Sequence, residues 1–341
     1  MSLIVLNKLL AIFCTVALGW VAGRLRWLGE PAGGMDPARL LGNAAFYIFV
    51  PALLFRTTAR LDVQTMPWAT VLAYFLPVTG LMLFTYAVQR WRWQRQAAPA
   101  ADLDAGERAA AAPAVQAFTG AFGNTVQIGI PVATALFGEA GLGIHIALVS
   151  LHALVLLSVL TVVVELDVAR ARAAHDASAS LWRTLRSTVR NTVIHPVVLP
   201  VLAGGLFNAS GLPLPAPLDE TLQLLGTAVA PLCLVLIGIT LAYTAGRAVL
   251  GAVRGALGLT AVKLLLQPAL VLVVAHWGLG LAGLPLQVAV VMAGLPAGSN
   301  ALIFAQRYRS QEPETTTAIV LSTLAFVLTA PLWLAVLARL A

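Results

Sequence analysis

The sequence predicts an all-α polytopic membrane protein. Its ten transmembrane helices form two inverted five-helix repeats, and the fourth and ninth are broken near their middles. Three observations carry this expectation. The chain of 341 residues is 60% hydrophobic and 10% charged, with a mean hydropathy of +0.89, whereas soluble domains carry about a quarter charged residues. Its arginines crowd onto alternate connections. Two long apolar stretches are each interrupted by glycine, proline and asparagine.

Windows of about twenty apolar residues place spans at 3–23, 40–58, 68–88, 114–137, 144–164, 193–209, 222–243, 256–277, 285–305 and 317–337. The first has no small-residue cleavage pattern and only Lys8 as an early charge, so it reads as a span and not as a removable leader. Gly138, Gly141 and Gly143 make a tight link between the fourth and fifth spans, and 211–217 (GLPLPAP) breaks the chain between the sixth and seventh. The Ala-rich segment 94–112, with Asp102, Asp104, Glu107 and Arg108, reads as a solvated linker. Most of the eight tryptophans fall near span boundaries, as an aromatic belt would.

Orientation follows from the basic residues. The connections after spans 1, 3, 5, 7 and 9 carry sixteen Lys and Arg, among them Arg24, Arg90, Arg170, Arg190, Arg254 and Arg307. The other side carries Lys8, Arg56, Arg60 and Arg339. The excess places the odd connections in the cytoplasm and both termini outside. It also accounts for the net charge of +7 without nucleic acid, for which no motif is present. The longest connection divides the chain into a first repeat (1–166), a cytoplasmic linker (167–190) and a second repeat (191–341). Five spans per half means opposite insertion of the halves. Leu40-Leu41-Gly42 before Pro51 is echoed by Leu224-Leu225-Gly226 before Pro231.

The broken spans hold the candidate site. In 118–138 the interrupting residues are Gly120, Gly123, Asn124, Thr125, Gln127, Gly129 and Pro131; in 288–308 they are Gly294, Pro296, Gly298, Ser299 and Asn300. Proline removes a backbone donor and glycine lets the backbone open. Open backbone at membrane depth is tolerated only inside protein or along a water-filled cavity, and paired interrupted spans mark the binding site of secondary transporters. Freed amides at the start of a second half-helix form a positive end that favours an anion. Asn124 and Asn300 offer donors to a carboxylate without fixing a full charge in the membrane. The alternative is that the prolines merely kink packed helices whose amides bond their neighbours.

Lys263 is the one formal charge deep within a span. It either serves an anion or caps carbonyls freed near Pro268. His145 and His152, seven apart on one face of the fifth span, read as packed, hydrogen-bonded side chains, since no third metal ligand stands at a recognisable spacing. Cys14 and Cys233 lie in separate apolar runs and indicate neither a disulfide nor a metal framework. No cofactor and no metal are expected. Paired intramembrane aspartates, HExxH and GxSxG are all missing, which argues against an enzyme. The absence of a central Asp or Glu favours a uniporter driven by membrane potential over a sodium- or proton-coupled symporter. A non-transporting sensor is the remaining alternative.

The runs FGNTVQIGIP (122–131), GLPAGSNALIFAQRY (294–308) and VPALLF (50–55) resemble the auxin efflux carrier family, which comprises plant PIN auxin exporters and bacterial relatives described as malonate or other organic-acid permeases. The resemblance extends over all ten spans. It implies a fold similar to bile-acid symporters and sodium/proton antiporters, with the fourth and ninth helices crossing at Pro131 and Pro296. It implies that Asn124 and Asn300 contact a substrate carboxylate, with Thr125, Gln127 and Ser299 beside them. It further implies a dimerising scaffold of spans 1, 2, 6 and 7, an elevator-like transport domain of spans 3–5 and 8–10, and a place in the bacterial inner membrane. The central loop lacks the long hydrophilic segment of plant members, so plant-style kinase regulation is not implied.

Overall fold

A computed structural model of the protein describes residues 3–29, 37–60, 64, 66–96, 102–126, 128–175, 194, 196, 198–243 and 247–340. Within them the chain is helical, and the single β-type pairing joins Gly123 to Ala297. Six helices among the described residues are long and apolar enough to cross a membrane: Pro37–Ala59, Trp68–Arg95, Val132–Arg172, Ala216–Ile239, Ala252–Gly278 and Glu312–Leu337. Val198–Ala209 and Gly283–Ala293 are shorter apolar helices. The expected fourth and ninth spans are interrupted, so neither appears as one long helix.

Helix α1 (Leu3–Arg24) ends with the Arg24 guanidinium 5.8 Å from the Trp20 ring, a cation at the negative helix end. Helix α2 (Pro37–Ala59) widens to a π-helical turn at Ala45–Phe49, just ahead of Pro51, where the missing donor and the ring would otherwise strain a regular helix. Helix α3 is Trp68–Gln96. Helix α4 (Leu103–Ala121) is N-capped by Asp102, whose Oδ1 accepts from the Ala105 amide at 2.6 Å. The segment expected as a linker is therefore helical from Leu103, and it is buried from Ala111 onwards.

Helix α5 (Gly129–His175) is bent at Gly138, whose φ of 61° and ψ of −160° no other residue adopts cheaply. The bend sits at the expected link between the fourth and fifth spans. Beyond it the helix runs to His175, well past the expected span end. Most of the expected linker, including Arg186 and Arg190, lies outside the described residues, as does His195. Then come α6 (Val198–Ala209), α7 (Ala216–Tyr243) and α8 (247–278). Helix α8 widens into a π-helical turn at Val262–Leu266, ahead of Pro268. Helices α9 (Gly283–Ala293) and α10 (Asn300–Arg307) are separated by the second break, and α11 (Glu312–Leu337) closes the fold with two glutamates in its first turn, where the helix dipole favours them.

The helices pack in two groups. Helix α1 lies along α7, and α2 packs on α6 and α7. Helix α4 packs on α3 and α5, α8 on α11, and α9 on α5 and α8. The α1–α7 contact is close because both helices present glycine: a methyl on Gly19 would meet the Val235 carbonyl oxygen at 2.1 Å, and one on Gly238 the Val16 oxygen at 2.0 Å.

At one end of the bundle Arg172 donates to Glu107 at 2.6 and 3.0 Å. The guanidinium holds the Glu107 carboxyl below its ordinary range. A carboxyl whose folded pKa is depressed adds stability above its unfolded pKa, and that stability is lost as pH falls through the folded value. Because the pair is solvent-screened its contribution stays under about 1 kcal/mol. Glu107→Gln should lower the thermal midpoint at pH 7 by no more than about 2 °C, with the difference shrinking in acid. A larger shift in scanning fluorimetry would contradict this.

Candidate functional site

The two breaks meet. The Asn124 amide donates to the Pro296 carbonyl at 2.8 Å, and the Gly298 amide donates to the Phe122 carbonyl at 2.8 Å. These bonds flank the Gly123–Ala297 pair and tie the interruption after α4 to the interruption after α9. Glycine is required at 298, because a methyl there would lie 2.7 Å from the Phe122 ring and 2.8 Å from the Gly123 carbonyl oxygen. The main-chain contact therefore falls at 122–124 and 296–298. Pro296 is in it. Pro131 is not: it sits in the first turn of α5, where the missing donor has no intrahelical partner to lose. Gly129 opens that helix, its amide bonded to the Asn124 carbonyl at 3.1 Å, and Gly294 ends α9.

Ordinary helices would leave these ends unsatisfied. Here side chains from neighbouring helices complete them. His152 Nε2 accepts from the Gly123 amide at 3.1 Å, which puts its proton on Nδ1, 3.3 Å from the Tyr74 hydroxyl. His145 Nε2 lies 2.8 Å from the Thr125 carbonyl and must donate to it. Lys263 is fully buried and donates to the Ala293 carbonyl, the last of α9, at 2.6 Å. One turn on, Gln267 Nε2 donates to the Ala121 carbonyl, the last of α4, at 3.2 Å. Helix α8 thus supplies a donor to the negative end of both first half-helices. The carbonyl that Pro268 frees, that of Leu264, is met instead by the Trp333 indole at 2.8 Å. The Ala297 amide finds Ser322 Oγ at 3.0 Å.

Beside the crossing lies a cavity of about 390 Å³. One wall comes from α2 and α7, with Leu53, Leu54, Leu222 and Val229. The other comes from the two breaks and α5, with Asn124, Thr125, Val149, Ser299 and Asn300. Gly123 and Gly298 line it with bare backbone, and His152 also reaches it. Asn300 opens α10, so the positive end of that half-helix faces the cavity. Four of the five expected substrate residues are thereby brought to one space, and the fifth, Gln127, lies outside the described residues. Lys263 is not among the lining residues. It stands behind Gly123, where a methyl would be 3.4 Å from Nζ. The arrangement is a mostly apolar chamber with a few convergent donors, suited to holding a small molecule with a polar head.

A family model described as a membrane transport protein matches residues 4–334. The chain belongs to this family, that of the auxin efflux carriers. It is a membrane transport protein, and its family is one of transporters and not of enzymes. Comparison with curated proteins finds no match. In this transport protein His145 and His152 are the packed, hydrogen-bonded side chains the sequence suggested, but what they support was not legible, and Gln267 was not singled out. Their signal was faint but present, since the histidines stand seven apart on the face of α5 that meets the break, and Gln267 stands four after Lys263.

Proposed function

We propose that the protein carries a small organic anion, a carboxylate of malonate-like or auxin-like type, across the bacterial inner membrane by alternating access around the crossed breaks. The observation that carries this reading is the cavity in which Asn124, Thr125, Ser299, Asn300 and the α10 amino end converge. The fold behind it is ten spans in two inverted repeats, and the antiparallel, two-fold character of the crossing supports that symmetry. Spans 1, 2, 6 and 7 are the dimerising scaffold and spans 3–5 and 8–10 the moving domain; the two packing groups and the cavity between them support that division.

With odd connections in the cytoplasm, the cavity reaches Arg56, Leu222 and Gln223 at the outer ends of the second and seventh spans. This conformation then faces outward. At the opposite end Tyr308 donates to Glu165 at 2.9 Å and Ser310 to the Arg108 carbonyl at 2.8 Å, and the cavity there, of about 580 Å³, shares no lining residue with the one at the crossing. Transport is uniport in the export direction, because a negative interior drives an anion outward by about 2.3 kcal/mol per 100 mV.

Charge movement in proteoliposomes on a solid support tests the proposal. A carboxylate should evoke a current that persists without sodium and without a pH gradient. Asn124→Ala removes donors to an anion, worth about 1.5–3 kcal/mol, so the apparent affinity should fall roughly 10- to 150-fold. Strict dependence on sodium or a proton gradient would replace uniport with symport. Silence from folded protein across a carboxylate panel would favour a sensor.

A further inference from the structure

The cavity has a second polar end, far from the asparagines in chemistry and built entirely on the other wall. Arg56 of α2 lines it together with Thr57 and, from α7, Gln223. The Arg56 guanidinium is held by Asp219, with Nε to Oδ1 at 2.7 Å and Nη2 to Oδ2 at 3.2 Å, and by Gln223 Oε1 at 3.0 Å. Arg60, one turn on, donates to the same Asp219 at 2.7 Å. Two guanidinium groups share one carboxylate, so Asp219 alone does not neutralise the pair. Arg56 Nη1 makes no hydrogen bond among the described residues, and the Arg56 side chain is 26% exposed. Thr57 and Ser150 also line an adjoining chamber of about 540 Å³ that contains Arg60 and Glu139, so the cluster stands where the two spaces meet.

We propose that Arg56 is a second anion-recognition group of the cavity, and that it is the residue by which the carrier favours anions with a second acidic end. The inference rests on the proposed anion-carrier reading. One acidic end sits at Asn124 and Asn300; the other draws the Arg56 fork from Asp219, which keeps Arg60 as its partner. Arginine suits this exchange because its planar donors match a carboxylate on two bonds. The apolar part of the lining, with Leu53, Leu54, Val149 and Val229, fits methylenes. Asp219 is then a competitor that holds Arg56 in place when no substrate is bound.

The test compares succinate with butyrate, which match in carbon count and differ by one carboxylate, in proteoliposome currents and in competition binding. Wild type should prefer succinate by about tenfold or more. Arg56→Gln should cut that ratio to within about threefold by lowering succinate affinity more than butyrate affinity, and Arg56→Lys should fall between the two. Asp219→Asn removes the competitor and should raise succinate affinity severalfold. If Arg56–Asp219 were only a staple between α2 and α7, Asp219→Asn and Arg56→Gln would move both anions down together, which overturns the proposal. Butyrate transport equal to succinate transport in wild type, abolished by Asn124→Ala and indifferent to Arg56→Gln, overturns it as well while leaving the carrier reading standing. No current and no binding for either anion in folded wild type overturns both.

Discussion

Gly298→Ala is expected to lower the thermal midpoint by on the order of 10 °C and to abolish transport. The new methyl would sit 2.7 Å from the Phe122 ring and 2.8 Å from the Gly123 carbonyl oxygen, with the Gly123 carbonyl carbon at 3.0 Å. A side chain can rotate away, but the backbone of the crossing cannot move without breaking its own bonds. The bonds at risk run from Gly298 to Phe122 and from Asn124 to Pro296, each 2.8 Å long. They lie among buried residues. A buried donor or acceptor left unpaired costs about 1–3 kcal/mol, so opening the crossing costs several. Gly80→Ala and Gly258→Ala are the controls. A methyl at either position meets nothing within 4 Å, and alanine favours a helix over glycine. Their midpoints should hold or rise. A Gly298→Ala midpoint within about 2 °C of wild type would show that the crossing is not a fixed structural element.

Lys263→Met should reduce anion transport at least tenfold while leaving a folded protein. Methionine keeps the length and removes the charge. The ammonium is fully buried and caps the Ala293 carbonyl at 2.6 Å. Removing it spares the desolvation of a buried cation but orphans that carbonyl, so the two stability effects oppose one another. The electrical effect has no such offset. An anion resting against Gly123 would lie roughly 7 Å from Nζ, and at an effective dielectric constant of 20 a charge pair at that distance is worth about 2 kcal/mol, or a roughly 30-fold change in affinity. Arginine should not rescue the loss, since the larger guanidinium has to enter a fully enclosed slot. Competition binding and current amplitude report the outcome. Wild-type affinity in Lys263→Met would assign the lysine to capping alone.

The breaks themselves were legible in the sequence because they violate a strong rule. Glycine, proline and asparagine inside an apolar window contradict the helix that the window otherwise dictates, and residues 122–131 and 294–300 carry that contradiction twice. The convergence of Asn124, Thr125, Ser299 and Asn300 followed from pairing the two. The registry of the crossing was not legible. Pro131 reads as a breaker, yet a proline in the first turn of a helix breaks nothing, and the contact is made by glycine backbone, which leaves no side-chain signature.

The partners of the supports on other helices were not legible, for a different reason. His152, Gln267 and Trp333 each satisfy a backbone group that is distant in sequence, and hydropathy records neither direction nor depth. Trp333, one of the eight tryptophans of which most read as a boundary belt, is a donor to the Leu264 carbonyl. Arg56 looked like one of four basic residues on the sparser side; its place at the cavity depends on α2 and α7 packing together.

The proposed transport requires that an anion bind at the crossing. Equilibrium binding of a radiolabelled dicarboxylate to purified protein tests it most directly, with wild type, Asn124→Ala and Asn300→Ala compared at matched folding. Wild type should bind it saturably and each variant about tenfold or more weakly, with the second substitution adding less once the first is made, because both contact one group. Binding of undiminished affinity in both variants would place the anion elsewhere than the crossing.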